Sequence, residues 1–258
     1  TLCERGVHVV GPGSGYLACG DVDTGRMSEP EEVVEAVCEV LNPVQQDLAG
    51  KRIVITAGPT HEPIDPVRFI GNRSSGKMGI ALAGEAARRG AAVTLVLGPT
   101  SLDVPHGVEC VRVQTAAEML KAALSAFQTA DVAICAAAVA DYTPVSPADH
   151  KLKKSNERLD RIELVETVDI LAELSRQKGE RCVIGFAAET DNVLEYAQRK
   201  LDRKGCDAII ANDVSRADSG FGTDTNKAWI VSKAVTQELP VLTKPQLADT
   251  ILDLLQNL

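Results

Sequence analysis

From residue 51 onward the chain alternates continuous apolar runs with segments of helical period, and few folds accept that pattern. RIVITA (52–57), AVTLVLG (92–98), DVAICAAAV (131–139), CVIGFAAE (182–189) and DAIIAND (207–213) lack polar alternation. Strands of that kind need cover on both faces. Helical segments lie between them, at 76–89, 115–129, 168–178 and 192–204, with a closing one at 245–257. Thr115 and Glu118 have capping-box spacing, and Gly90 and Gly205 stand where a left-handed residue ends a helix. Repeated β-α-β order predicts an α/β protein, a Rossmann-like parallel sheet with helices on both faces. IELVE (162–166) reads as a short further strand and NKAWIVSK (226–233) as an arm of a late β-hairpin.

Residues 1–49 break the pattern. They are Gly-rich and loop-like, with one short helix over 31–41 that Asn42-Pro43 ends, because a residue before proline disfavours the helical region. A boundary is expected between 49 and 50. The start at Thr1, with no visible signal peptide, reads as a piece of a longer protein.

With 45% hydrophobic and 24% charged residues, the composition is that of an ordinary globular protein. No run approaches the ~18 apolar residues of a membrane span. The net charge of −9 argues against nucleic acid as a partner. Seven cysteines without a C-x-x-C suggest neither zinc nor a disulfide framework, and they suit a reducing cytoplasm.

Ligands of doubly wound sheets bind beyond the carboxyl ends of the strands. The segments expected there are GPTHEPIDPVRFIGNRSSGK, AAAVADYTPVSPADHKLKK, FAAETDN and NDVSRADSGFGTD. The first contains GNRSSGKM, which meets the phosphate-binding pattern G-x-x-x-x-G-K-[ST] at Gly71, Gly76 and Lys77 and fails at Met78. A thioether is a poor ligand for Mg²⁺, and some fourteen residues separate this stretch from its strand. Asn72, Ser74, Ser75 and Gly76 still precede a helix start, a place that attracts anions; simple N-capping by Ser74 or Ser75 is the plainer alternative. The loop is longer than the ~12–15 residues of ordinary connections and carries three prolines and Arg68, which suits a substrate loop; a domain-packing excursion is the alternative.

Ala136, Ala137 and Ala138 are small enough to let a ligand approach the backbone. Asp141 follows them, and could accept ribose hydroxyls, hold Mg²⁺ or serve a turn. Lys151, Lys153 and Lys154 could close over phosphates or form a solvated charge run. Lys200 and Lys204 share a helix face beside Arg199 and Arg203 and would repel one another unless an anion lay between them. No glycine fingerprint follows the first strand, no nucleophile elbow is present, and His8, His61, His106 and His150 lack ligand spacing. A nucleotide-binding regulatory module and a Rossmann-type oxidoreductase remain as competing classes, the latter disfavoured by the missing fingerprint.

ITAGPTHEPIDPVRFIGNRSSGKMG, AAAVADY, KLKK, GFAAET and ANDVS, in this order and spacing, closely resemble the phosphopantothenoylcysteine synthetase domain of the bacterial bifunctional coenzyme A biosynthesis flavoproteins. The resemblance covers residues 50–258. It implies a ligase that joins 4′-phosphopantothenate to L-cysteine, using CTP with Mg²⁺ to form an acyl-cytidylate before the cysteine amine displaces CMP. It assigns Asn72 and Lys151 to catalysis, and Arg68, Asn72, Ser74, Ser75, Gly76 and Ala138 to the substrate. To the nucleotide it assigns Ala136, Ala137, Asp141, Lys151, Thr167, Val168, Asp169, Ile170, Phe186, Lys200 and Lys204; it names no metal ligands. Thr167-Val168 stands where the family often has Asn-Pro or Thr-Pro. The resemblance further implies a homodimer, formed partly through hairpin arms, and a cytoplasmic location. The first 45 residues resemble the tail of the partner decarboxylase domain, where ACG…GRMSEP is similar to the substrate clamp and Cys19 to its catalytic cysteine. FMN is expected only in the full-length bifunctional protein, so this chain is expected not to decarboxylate.

Overall fold

The computed structural model describes residues 2–16, 22–41, 45–154, 160–216, 218–220 and 222–256. Cys19 lies outside them. The chain divides into two compact units, Thr1–Gln45 and Gln46–Leu258. In the first, β1 (Gly13–Tyr16) pairs antiparallel with β2 (Val22–Arg26), and α1 (Pro30–Leu41) starts with proline at its first helical position, where the missing N–H removes no helix bond. The hairpin was not expected; four- and five-residue strands rich in glycine give no apolar alternation to read.

The second unit runs β3 (Arg52–Ala57), β4 (His61–Pro63), β5 (Phe69–Gly71), α2 (Lys77–Arg88), β6 (Ala92–Leu97), β7 (Glu109–Arg112), α3 (Ala116–Phe127) and β8 (Val132–Cys135). It continues with β9 (Tyr142–Pro144), β10 (Leu164–Glu166), α4 (Ile170–Arg176), β11 (Cys182–Glu189), α5 (Val193–Lys204), β12 (Ala208–Asp213), β13 (Thr225–Ser232), β14 (Thr236–Thr243) and α6 (Lys244–Asp253). Eight strands form one sheet in the order β14-β13-β12-β11-β8-β3-β6-β7. The six from β12 to β7 are parallel. β13 runs antiparallel to β12, and β14 runs antiparallel to β13, as the short turn at Lys233–Val235 between them requires. The late hairpin therefore completes the main sheet rather than standing off as an arm.

The faces sort as the apolar runs require. Ile53, Ile55 and Ala57 of β3 pack with Leu82, Ala83 and Ala86 of α2 and with Leu247, Ala248 and Ile251 of α6. Val54 and Ala133 face Met119, Ala123 and Phe127 of α3, Leu174 of α4 and Leu201 of α5 on the opposite side. A Cβ on Gly79 would stand 2.3 Å from the Ala57 Cβ, so glycine is what lets α2 lie against β3. The predicted capping box at Thr115 and Glu118 is formed, and Gly205 is left-handed after α5 (φ 66°).

A buried arginine ties three segments together. Arg89, just after α2, donates from Nη1 to Asp249 of α6 at 3.0 Å and pairs with Asp253 at 2.8 Å, while its Nε donates to Asp47 at 3.0 Å. Leu48, next to Asp47, is buried in the sheet core.

Candidate active site

The chain reverses its direction of travel across the sheet between β3 and β8, the adjacent strands from which it winds outward in each direction. Crevices form at such switch points. A cleft of about 810 Å³ opens there, lined by Thr56 from β3, Cys135 at the end of β8 with Ala136–Val139 after it, Phe186–Ala188 of β11 and the start of α2.

Backbone pairing builds the floor. Pro59 bridges Ala138 in parallel register, Thr56 Oγ1 accepts from Ala137 N at 3.4 Å, and the buried Thr60 Oγ1 accepts from Ala140 N at 3.0 Å. Ala136, Ala137 and Ala138 are thereby held as an open shelf along the cleft. The β3–α2 connection does not turn directly into a helix. It first makes the β4–β5 hairpin, whose turn is organised by Asp65. That buried carboxylate accepts from Val67 N and Arg68 N, both at 2.8 Å, and from the Arg68 guanidinium. The Arg68 side chain, aided by these backbone donors, holds Asp65 well below the usual carboxylate range.

The P-loop-like stretch resolves into a helix start of unusual openness. Gly76 is the N-cap in the left-handed region (φ 81°), which only glycine enters freely. Ser74 Oγ accepts from Gly76 N at 3.3 Å and Ser75 Oγ from Lys77 N at 3.5 Å, so neither serine occupies the N-cap position. Helix α2 has no side-chain cap and no acidic residue in its first turn. Its positive end faces the cleft through Gly76, Lys77, Met78 and Gly79. Asn72 stands beside it. Its Nδ2 donates to Val139 O at 2.9 Å, with Ala138 O farther off at 3.5 Å.

On the other flank, Asp169 caps α4 by accepting from Ala172 N at 2.8 Å, and it also accepts from Lys204. Burial, the largest influence, works to raise its pKa, but Lys204 and the Ala172 N–H outweigh it and the net shift is downward. Lys200 Nζ donates to Phe186 O at 2.8 Å, and burial lowers its pKa. The expected repulsion between the two lysines is thus relieved by separate partners, a carboxylate and a carbonyl.

Of the residues expected from the sequence, Asn72, Ser74, Ser75, Gly76, Ala136, Ala137, Ala138, Asp141, Thr167, Val168, Asp169, Ile170, Phe186, Lys200 and Lys204 line this one cleft. Arg68 and Lys151 do not. Arg68 donates to Leu152 O at 3.0 Å, and Asp65 accepts from Leu152 N at 3.2 Å, so the pair anchors the loop one residue beyond the exposed Lys151. The cleft also includes Lys77, which the sequence marks only through the incomplete phosphate-binding pattern, and Lys244, which no motif marks. One signal was available: each lysine opens its helix, against the helix dipole.

Strand order, a switch-point cleft and its lysines define a doubly wound α/β protein with a ligand site suited to anions. More particularly, the chain belongs to the DNA/pantothenate metabolism flavoprotein C-terminal domain family, whose model matches residues 48–258. It is 47% identical over 254 residues to the coenzyme A biosynthesis bifunctional protein CoaBC of Bacillus subtilis (strain 168), covering 97% of this chain and 62% of that protein. With the CoaBC of Escherichia coli (strain K12) the identity is 46% over 255 residues, covering 98% and 63%. The chain thus spans less than two thirds of the length of either. Among solved structures, the C-terminal domain of a CoaBC is 46% identical, with a TM-score of 0.69 over 81% of this chain and 95% of that one. Among the described residues, no helix is long and apolar enough to cross a membrane.

Proposed function

We propose that this chain is a coenzyme A biosynthesis ligase that joins 4′-phosphopantothenate to L-cysteine at the expense of CTP. The observation that carries this reading is convergence. Asn72, the Ala136–Ala138 shelf, Asp141, the Thr167–Ile170 turn, Phe186, Lys200 and Lys204 come from distant parts of the sequence and line one cleft, in a chain of the CoaBC family.

The proposed chemistry has two steps. The substrate carboxylate attacks the α-phosphorus of CTP, forming the acyl-cytidylate and releasing pyrophosphate. The cysteine amine then attacks the acyl carbon, an amide forms, and CMP leaves with the electrons of the C–O bond. A carboxylate is a poor electrophile, so the first step supplies the leaving group. Asn72 suits the second step. Its Nδ2 has two protons, one engaged by Val139, and an acyl oxygen would compete for the other only with the 3.5 Å contact to Ala138. Lys200 and Lys204 place positive charge beside Phe186. Lys151, on its anchored loop, is assigned to the first step.

The donor set fits Mg²⁺ in the way such sites usually hold it, through one or two carboxylates plus substrate phosphates. Asp141 and Glu166 are the carboxylates on the cleft wall beside Asp169, which Lys204 engages. With nucleotide bound, the ion would neutralise charge developing on the phosphates.

Pyrophosphate release tests the reading. With 4′-phosphopantothenate and Mg²⁺, sustained release is expected with CTP, requiring cysteine for turnover. No release with CTP or ATP from folded protein would leave a binding module instead.

We further propose a homodimer, with the interface moved from the late hairpin to the two small ones. Val67, Phe69, Tyr142, Leu164 and Val165 on β4–β5 and β9–β10 are all exposed, and β4 neighbours β9. Light scattering should return twice the chain mass, and Phe69→Asp with Leu164→Asp should return the mass of one chain. A monomeric unmodified protein would end this proposal.

A further inference from the structure

Lys244 is a cation in an unusual place. It opens α6, is only 6% exposed, and lies on the cleft wall. Its Nζ donates to Asn226 Oδ1 at 2.5 Å, with Gly220 O at 3.5 Å, and both partners are neutral oxygens. The charged groups facing it are Lys77 and Asp224, which already pair with each other at 2.6 Å. This corner of the cleft therefore carries two ammonium groups and one carboxylate.

Two helix starts add to that excess. Lys77 opens α2, which has no side-chain cap, and Lys244 opens α6, whose start is closed by the Thr243–Gln246 capping box. Both helices direct the positive ends of their dipoles at their own lysines; Asp224 offsets Lys77, whereas Lys244 has only neutral oxygens, so the corner keeps an excess of positive charge. Burial, followed by repulsion from Lys77, pushes the Lys244 pKa down to about 8. Linkage gives the sign. A lysine whose pKa is lower in the folded state destabilises the fold below the folded pKa, and the penalty fades as pH rises from about 8 toward the unfolded value. The charged form is thus carried at neutral pH against stability, as expected of a group kept for a ligand.

We propose that Lys244, with Lys77 and the uncapped start of α2, forms a phosphate-receiving corner that takes the pyrophosphoryl end of the nucleotide and holds the released pyrophosphate. The identity of the anion rests on the ligase reading; the corner itself does not. Lys200 and Lys204 then serve the Phe186 side of the cleft, and the late hairpin and α6 become part of the binding machinery through Asn226 and Lys244.

The test is calorimetric titration of the whole chain with inorganic pyrophosphate and, separately, with CMP. Lys244→Met is expected to weaken pyrophosphate binding at least tenfold and to leave CMP within about twofold. Lys244→Arg should keep most of the pyrophosphate affinity. Relative to Lys244→Arg, the unmodified protein should lose affinity between pH 7 and 9 as Lys244 deprotonates; pyrophosphate's own titration is common to both. Pyrophosphate that fails to bind, or binds Lys244→Met as well as before, overturns the proposal. Should Lys244→Met not fold, the absence of any pH difference from Lys244→Arg overturns it equally. Lys244-dependent pyrophosphate binding without CMP binding would sink the nucleotide reading and leave the corner standing. CMP binding with indifference to Lys244 would do the reverse.

Discussion

Lys151→Gln should abolish pyrophosphate release from 4′-phosphopantothenate and CTP, a loss on the order of 10³-fold, while Asn72→Asp should still release about one equivalent and then stall. The two residues are assigned to different steps, and their settings differ accordingly. Lys151 is exposed, outside the cleft lining, and adjacent to the point where Asp65 and Arg68 grip Leu152. A loop pivoting on that anchor can carry an ammonium to the phosphates and withdraw it. Asn72 is part of the cleft, its amide turned by Val139. On the proposed mechanism, replacing the amide with a carboxylate would remove the donor to the acyl oxygen and place like charge beside an acyl phosphate. Rapid-quench analysis should find the acyl-cytidylate accumulating in Asn72→Asp and absent from Lys151→Gln. If both variants stall before pyrophosphate leaves, the division of roles is wrong.

Arg89→Met should be the most destabilising single change away from the cleft. The guanidinium is 6% exposed and serves Asp47, Asp249 and Asp253. Removing one partner of a buried charge network costs about 3–5 kcal/mol, and the lower end applies because Asp249 and Asp253 are more than half exposed and can be solvated. About 3 kcal/mol in a unit of this size lowers the melting temperature by roughly 6–12 °C. Thermal unfolding followed by circular dichroism would show it. A shift under about 2 °C would mean that solvent already screens the network.

How much of this protein can be read before folding depends on burial. Strands β3, β6, β8, β11 and β12 are covered on both faces, so their side chains must be apolar throughout and the runs are plain in the sequence. β7 sits at the sheet edge with three of its four residues exposed, and β4–β5 and β9–β10 are three-residue hairpins; none buries enough surface to leave a pattern. The same logic applies to the site. Asn72 and Phe186 stand in motifs on or just after strands, toward the end where the α/β architecture puts ligands, and Lys200 is marked by its i, i+4 spacing to Lys204 on α5. Arg68 stands outside the cleft lining because Asp65 holds its guanidinium, which also donates to Leu152 O, and sequence distance from Asn72 does not reveal that placement.

The sequence by itself determined the doubly wound architecture, since continuous apolar strands separated by amphipathic helices have few other ways to bury their surfaces. It also determined which loops meet, because the carboxyl ends of parallel strands share one edge. Tertiary structure alone decided the charge distribution. Whether a lysine is solvated, paired like Lys204 with Asp169, or held among neutral oxygens like Lys244 depends on groups tens of residues away, and electrostatic energy depends on distance and burial rather than on order along the chain.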